Sequence, residues 1–251
     1  MILPDAWRLS LGPLTAVPVS PPVPVDRRYA GVAMVLAPLA AAVTVVALAG
    51  HPIGLPPLVM ALVALGAAVL GNRAFHLDGL SDTVDEMAAS CDRERSLAVT
   101  TGGTCGPAGV VAVVLVLGLQ VAGLAAVRES PRPAGGAVLA GCALCVSRAA
   151  PAVCCARSVP SARPGGLGDT YTRTVVRPVV AFVWLGGALV LSPAGAWAEL
   201  DRWRGLLAAA AGLVVLAVVV ARAVRRSGGV TGDVFGAPGE LAPAALLVGL
   251  S

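Results

Sequence analysis

The sequence predicts an all-α protein, a polytopic integral membrane helical bundle. Hydrophobic residues make up 57% of the 251 residues. Charged residues make up only 13%, about half of the share usual in soluble proteins. The mean hydropathy is +0.85, and Ala, Val and Leu are gathered into long uncharged runs. Because such runs match the hydrocarbon thickness of a lipid bilayer, we expect the bilayer to surround this chain.

Uncharged runs of about 20 residues define the expected membrane spans. We expect six spans and a shorter seventh, near residues 31–50, 53–72, 107–127, 134–156, 175–194, 205–224 and 239–251. The seventh run ends after about 13 residues, which is short for a crossing at about 1.5 Å per residue, so a partial span stays open there. Prolines interrupt the stretch before the first run, which predicts a membrane span rather than a cleavable leader.

The arginines predict the orientation of the chain. All 18 basic residues are Arg, and Arg in short loops favours the cytoplasmic side of a membrane. With the N-terminus in the cytoplasm, thirteen Arg lie inside and four outside, while Arg148 falls within the fourth run. We therefore expect one transmembrane domain over residues 1–251 in the cytoplasmic membrane. We expect four cytoplasmic segments: an N-terminal segment at residues 1–30, an acidic metal-binding segment at residues 73–106, and substrate loops at residues 157–174 and 225–240.

Residues 76–86, with the sequence HLDGLSDTVDE, carry the strongest chemical signal. On a helix, Asp78, Asp82 and Asp85 would lie within about 60° of one another, and like charges placed in this way repel. A bound cation relieves such repulsion, and a set of oxygen ligands suits Mg²⁺, Mn²⁺ or Ca²⁺. A solvated acidic helix is the alternative, but it would carry interspersed Arg at i+4 spacing. We therefore expect a divalent-cation site, and a hard cation in turn indicates phosphate chemistry.

Other polar residues of the cytoplasmic side carry weaker signals. His76 is either a phosphate ligand or acid–base residue, or an interfacial residue at the end of a span. Arg148 lies inside a span, where a charge is costly, so we expect it to face an anionic ligand; snorkelling to the interface is the alternative. Two Gly-rich segments, 157–169 and 227–237, offer backbone N–H groups to an anion, although each alone is also typical of an ordinary connecting loop.

These motifs resemble those of the cobalamin 5'-phosphate synthase family, also called the adenosylcobinamide-GDP ribazoletransferases. The family signature, close to HLDGLADTADG, matches residues 76–86 with the spacing of all three Asp kept. The family's C-terminal GGxTGDxxGAxxE matches residues 228–240. Its Ser-Arg and AR-x-x-GLG matches lie at residues 147–148 and 162–168, and its N-terminal LTRxPV is similar to residues 14–19.

The resemblance implies membrane helices that enclose a Mg²⁺-dependent phosphotransfer site. It implies adenosylcobinamide-GDP and α-ribazole or its 5'-phosphate as substrates, GMP as the leaving group, and no nucleic acid as a partner. The implied metal ligands are Asp78, Asp82 and Asp85, and the implied catalytic residues are Asp85, Asp82 and His76. The implied substrate-binding residues are Arg148, Arg163, Gly168, Thr231 and Asp233. A homo-oligomer, or a complex with other cobalamin-assembly enzymes, stays open.

The chain also departs from the family pattern. Glu86 stands where the family has Gly, and Ala16 stands where the N-terminal motif has Arg. The family's basic residue and Asp before the third span are missing from residues 100–109, TTGGTCGPAG. A catalytically impaired relative that acts as a scaffold or transporter is therefore one alternative. A CDP-alcohol phosphotransferase is another, although residues 78–90 lack the DG-x-x-AR core of that class.

Overall fold

The computed structural model describes residues 55–89 and 105–251, together with positions 5, 6, 8, 18, 27, 30–35 and 37. Its regular elements are helical, and the described residues contain no β-strand beyond two isolated bridges. The helices are α1 (Pro57–Gly71), α2 (Phe75–Ala88), α3 (Pro107–Arg128), α4 (Pro133–Ser147), α5 (Pro151–Cys154), α6 (Leu167–Tyr171), α7 (Arg177–Trp197), α8 (Arg202–Ser227), a 3-10 turn (Asp233–Phe235) and α9 (Gly236–Leu250). The all-α prediction is confirmed.

Five stretches of the described residues are long and apolar enough to cross a membrane. They are Pro107–Arg128, Pro133–Cys154, Arg177–Trp197, Arg202–Ser227 and Asp233–Leu250. The last stretch begins six residues before the predicted run, and its 18 residues are enough for a crossing. The partial span that the sequence left open is therefore long enough to be a complete one. The predicted run at 31–50 lies largely outside the described residues.

The predicted second run is part of a bent pair, in which α2 turns away from α1 by 88°. The corner is formed by Arg73 and Ala74, whose φ angles of 57° and 56° are rare for residues with a side chain. From this corner α2 runs along one end of the bundle. It contacts the first turns of α3 and α9 and the last turn of α8. We call this end of the bundle the site end.

The spanning helices alternate in direction between the site end and the opposite, far end. At the far end, the connection between α3 and α4 meets the connection between α7 and α8, where Arg132 Nη2 lies 2.9 Å from Glu199 Oε1. There Arg204 Nη1 also donates to the carbonyl oxygen of Leu250 at 3.2 Å. The four Arg that the sequence placed opposite the polar segments all belong to these far-end connections and helix termini: Arg128, Arg132, Arg202 and Arg204.

The centre of the bundle is α4, which is the most enclosed of the spanning helices. Leu139 on α4, Leu191 on α7, Leu216 on α8 and Leu247 on α9 are fully buried and belong to one core. The outward faces of α3 and α7 expose large apolar side chains such as Phe182, which fits a lipid surrounding. The core also contains or contacts four cysteines that we expected to pack as small hydrophobes, Cys142, Cys145, Cys154 and Cys155.

Candidate active site

The position of α2 at the site end is fixed in part by Asp85, whose carboxylate caps the start of α3. Asp85 Oδ2 accepts a hydrogen bond from the Gly106 N–H at 2.7 Å, and Oδ1 accepts one from the Gly109 N–H at 2.8 Å. The first N–H groups of a helix have no partner within the helix, so these bonds satisfy two of them. Beside them, Ser81 Oγ lies 2.8 Å from Cys105 Sγ.

Asp85 therefore has a different environment from the one that its spacing predicted. Its side chain is buried, and both of its oxygens are engaged by the backbone of α3. As a metal ligand or proton acceptor it would have to share these oxygens with two N–H groups. One signal in the sequence could have indicated that Asp85 caps α3. This helix begins at Gly106-Pro107 and has no Ser, Thr, Asp or Asn of its own at the cap position.

Two motif glycines let α2 touch the 3-10 turn backbone to backbone. A Cβ atom on Gly79 would lie 2.5 Å from the carbonyl oxygen of Asp233 and 2.8 Å from Cα of Gly236. Real Cβ atoms do not approach other atoms this closely, so only glycine fits here. This contact joins two segments that are about 150 residues apart in sequence, and it brings Asp233 to the helix that carries Asp78 and Asp82.

Three Asp side chains of the site end, other than Asp85, act on one another: Asp78, Asp82 and Asp233. Asp78 is exposed, and Asp82 and Asp233 are half-buried. The negative charges of Asp78 and Asp233 both act unfavourably on Asp82. Repulsion of this kind between oxygen ligands fits a hard divalent cation, which would neutralise it.

The donor chemistry of these residues fits Mg²⁺, although the predicted trio of Asp78, Asp82 and Asp85 is not assembled around one point. Among the described residues, no three Asp, Glu, His or Cys side chains converge closely enough to hold a metal by themselves. Mg²⁺ is commonly held by one or two carboxylates, with water and substrate phosphates as its other ligands. Asp78 and Asp82 with Asp233 nearby meet this requirement.

The two Gly-rich segments that the sequence placed on one side lie against each other. The Ala162 N–H donates to the carbonyl oxygen of Val230 at 3.0 Å, and the Val230 N–H donates to that of Pro160 at 2.9 Å. A Cβ atom on Gly229 would lie 2.4 Å from the carbonyl carbon of Ser161, so glycine permits this pairing. The pairing places the loop before α6 beside the turn that carries Asp233.

The paired loops bring a basic residue to the acidic site. Arg163 is half-buried and interacts favourably with Asp233 and Glu86. Thr231 is buried, and its Oγ1 accepts a hydrogen bond from the Val234 N–H at 3.5 Å, so it shapes the turn. A Cβ atom on Gly168 would lie 3.2 Å from the carbonyl carbon of Thr231. Gly168 and Thr231 therefore form the close contact between the loops, and Arg163 is the cation beside the carboxylates.

Glu86, which departs from the family pattern, is accommodated by basic and polar neighbours. Its side chain is buried, and Ser227 Oγ donates a hydrogen bond to Glu86 Oε1. Arg163 and Arg226 both act favourably on its charge, and Arg226 also donates to the carbonyl oxygen of Ala89. Burial and the charge of Asp233 nevertheless raise the pKa of this carboxyl, and its Oε2 has no hydrogen-bond partner among the described residues. The other departures, Ala16 and residues 100–104, lie outside the described residues.

His76 and Arg148 point into the bundle and contact each other. Arg148 Nη1 lies 3.2 Å from His76 Nδ1, and His76 is only 3% exposed. Glu240 lies beside them, with its Oε1 3.8 Å from His76 Nδ1. Glu240 is the last residue of the matched C-terminal motif, but the sequence did not assign a role to it. No sequence pattern showed which helices would meet at this point.

A described residue of the N-terminal segment also reaches the site end. Arg27 Nη2 donates to the carbonyl oxygen of Thr172 at 3.0 Å, and a Cβ atom on Gly31 would lie 2.8 Å from Thr174 Oγ1. Both contacts lie just after α6, in the connection to α7. The predicted N-terminal segment, residues 1–30, otherwise falls largely outside the described residues.

Comparison with known proteins identifies the family that this chain resembles. A family model described as "Cobalamin-5-phosphate synthase" matches residues 6–251. The matched relatives carry the name adenosylcobinamide-GDP ribazoletransferase. One from a Nocardioides species is 50% identical over 249 residues, which is 97% of either chain. One from Pseudomonas aeruginosa is 38% identical over 79% of this chain and 76% of its own, and one from Frankia casuarinae is 32% identical over 94% and 90%.

No solved structure matches the chain. The family model covers nearly the whole chain, and the matched relatives align over most of their own length. The motifs at residues 76–86, 147–148, 162–168 and 228–240 also meet in space, at one end of one helical bundle. The chain therefore belongs to the cobalamin-5-phosphate synthase family.

Proposed function

We propose that this protein transfers the cobinamide-phosphate group of adenosylcobinamide-GDP to α-ribazole or α-ribazole 5'-phosphate and releases GMP. The observation that carries this proposal is the contact of Gly79 with the turn of Asp233. It sets carboxylates suited to a cation beside Arg163, a cation suited to phosphate, at one end of a membrane bundle. A diphosphate substrate needs both kinds of group.

The transfer is a displacement at phosphorus. A ribazole hydroxyl oxygen forms a bond to the phosphorus next to cobinamide, and the bond from that phosphorus to the bridging oxygen breaks, so GMP leaves with the bridging oxygen. We assign the hydroxyl proton to the carboxylate of Asp82, because burial and, after it, the negative charges of its neighbours raise the pKa of this group to about 6 in the absence of a cation. Arg163 would stabilise the phosphate charge that develops during the transfer.

We also propose Mg²⁺ as the cofactor, which Asp78 and Asp82 would hold, with Asp233 nearby. Magnesium, when bound, neutralises diphosphate charge and lowers the barrier to its displacement. The support is the oxygen chemistry of the three side chains and their mutual repulsion. In this arrangement Asp85 holds α2 against α3, and Gly168 and Thr231 keep the paired loops in place.

The activity can be tested directly on the purified protein in detergent. With adenosylcobinamide-GDP, α-ribazole and Mg²⁺ we expect GMP and a cobalamin product in equal amounts, and we expect a chelator to stop both. CDP-diacylglycerol as the donor should give no product. A folded protein that forms no cobalamin under these conditions would favour the scaffold or transporter instead.

We propose that the site end faces the cytoplasm. The support is the excess of Arg there, since Arg157, Arg163, Arg173, Arg177, Arg225 and Arg226 lie at or near this end. The experiment is labelling of intact cells with a membrane-impermeant thiol reagent. Cysteine at the far end, introduced as Glu199→Cys, should react above the background of the unsubstituted protein, whereas Ser158→Cys at the site end should not. The reverse pattern would reject this orientation.

A further inference from the structure

A cluster of buried polar side chains joins five helices just inside the site end. Its members are Asn72, which follows α1, His76 on α2, Gln120 on α3, Arg148, which follows α4, and Glu240 on α9. His76 is 3% exposed, Gln120 1% and Glu240 2%. Buried polar groups in a membrane protein are costly and are kept where they have partners and a role. The proposed transfer assigns no step to Gln120 or Glu240.

The hydrogen bonds of this cluster have a definite direction. Arg148 Nη1 at 3.2 Å and Asn72 Nδ2 at 3.3 Å are both N–H donors facing His76 Nδ1. His76 Nδ1 therefore accepts, and the proton of the ring lies on Nε2. Glu240 accepts from Gln120 Nε2 twice, through Oε2 at 2.9 Å and through its backbone oxygen at 3.0 Å.

Charge balance links Arg148 to Glu240. The two charges attract each other, and His76 lies within 3.8 Å of Glu240 Oε1 and 3.2 Å of Arg148 Nη1. Removing one member of a buried charge pair leaves the other uncompensated, which costs more than removing both. Arg148 and Glu240 therefore balance each other's charge from either side of the His76 imidazole rather than through an ion pair of their own.

The cluster is coupled by packing to the proposed metal ligands. A Cβ atom on Gly239 would lie 2.9 Å from His76 Cγ, so the imidazole packs directly on the backbone of α9. His76 lies two residues before Asp78 and one residue after the start of α2. Any shift of the ring against α9 would move the first turn of α2, and Asp78 with it.

We propose that Arg148 and Glu240 are positioning residues that act through His76, and that Gln120 holds Glu240 for this purpose. The charge pair fixes the imidazole against α9, and the imidazole fixes the start of α2 and therefore the distance of Asp78 and Asp82 from Asp233. This inference rests on the proposed transferase activity for its kinetic consequence, and on the geometry alone for its effect on stability.

The experiment compares Arg148→Gln, Glu240→Gln and the double variant R148Q/E240Q. We expect each single change to lower both kcat, by about tenfold or more, and the unfolding temperature, because a buried charge is left alone. The double variant should return kcat to within about threefold of the unsubstituted protein and restore the unfolding temperature, since coupled residues are not additive. The KM for adenosylcobinamide-GDP should stay unchanged throughout.

Two results would overturn the proposal. If the double variant regains its unfolding temperature while kcat stays low and the KM for adenosylcobinamide-GDP rises, Arg148 binds the substrate. If the effects on unfolding temperature simply add, the two residues are not a pair. A matched control is R132Q/E199Q, which removes the half-exposed far-end ion pair and should leave kcat unchanged.

A third variant keeps the proposal testable if the single charge changes do not fold. Gln120→Met removes the hydrogen bonds to Glu240 and retains every charge. We expect this variant to have a lower kcat and unchanged KM values for both substrates. An unchanged kcat would overturn the role of Gln120. The unfolding temperatures of these variants can be measured whether or not the protein is active. An unsubstituted protein that makes no cobalamin would therefore reject the transferase and leave the test of the charge pair intact.

Discussion

Asp82→Asn is expected to lower the rate of GMP release by about a hundredfold or more without lowering stability. The amide has the same shape as the carboxylate but cannot accept the proton and is a poor ligand for a hard cation. Because it also removes the repulsion with Asp78 and Asp233, the unfolding temperature should stay level or rise. The measurements are GMP release and thermal unfolding, both in detergent.

Asp85→Asn provides the contrast on the same helix. An amide can accept only one of the two hydrogen bonds from Gly106 and Gly109, and the unmet backbone group costs about 1–3 kcal/mol of stability. We therefore expect this variant to unfold at a lower temperature than the unsubstituted protein. Asp201→Asn, an exposed carboxylate at the far end, should change neither property and serves as the control.

Magnesium provides a second measurement on Asp82→Asn. A cation that binds the folded protein raises its unfolding temperature, so Mg²⁺ should stabilise the unsubstituted protein and have a smaller effect on this variant. Full activity in Asp82→Asn, or an equal response of both proteins to Mg²⁺, would contradict the assignment of Asp82.

Gly79→Ala should reduce turnover by about a hundredfold, because a displacement of about 1 Å at a reacting centre is enough for a loss of this size. The new Cβ would lie 2.5 Å from the carbonyl oxygen of Asp233, and neither backbone can rotate away as a side chain could. Helix α2 must therefore move from the 3-10 turn, which separates Asp78 and Asp82 from Asp233. The measurement is kcat for the transfer.

Gly118→Ala is the matched control for this change. A Cβ atom on Gly118 would have nothing within 4 Å, and alanine in place of glycine inside a helix stabilises it by about 0.5–1 kcal/mol. This variant should keep its activity and lose no stability. If Gly79→Ala is folded and turns over as fast as Gly118→Ala, the contact between α2 and the turn does not position the site.

Much of the fold could be predicted because the bilayer constrains it so strongly. Runs without charge must be helical to satisfy their backbone groups in hydrocarbon, and the predicted runs from 107 onward coincide with helices that are long enough to cross. The distribution of Arg likewise predicted which connections share an end, since Arg128, Arg132, Arg202 and Arg204 all lie at the far end.

The orientation of individual side chains could not be predicted in the same way. The period of a helix placed Asp78, Asp82 and Asp85 on one side of α2, but the start of α3 takes the oxygens of Asp85. Asp233 takes its place near the other two, through a contact that depends on the absence of a Cβ atom on Gly79. Periodicity within one element does not specify which other element it meets.

The sequence by itself determined a membrane bundle, its polar end, the carboxylate helix and the family. Each of these follows from local composition, spacing or an ordered motif. Only the tertiary structure decided that α2 lies across the end of the bundle, that Asp85 caps a helix, and that Arg148 pairs with His76 beside Glu240. These are contacts between distant segments, and they depend on how closely two backbones approach and on which buried charge must be compensated.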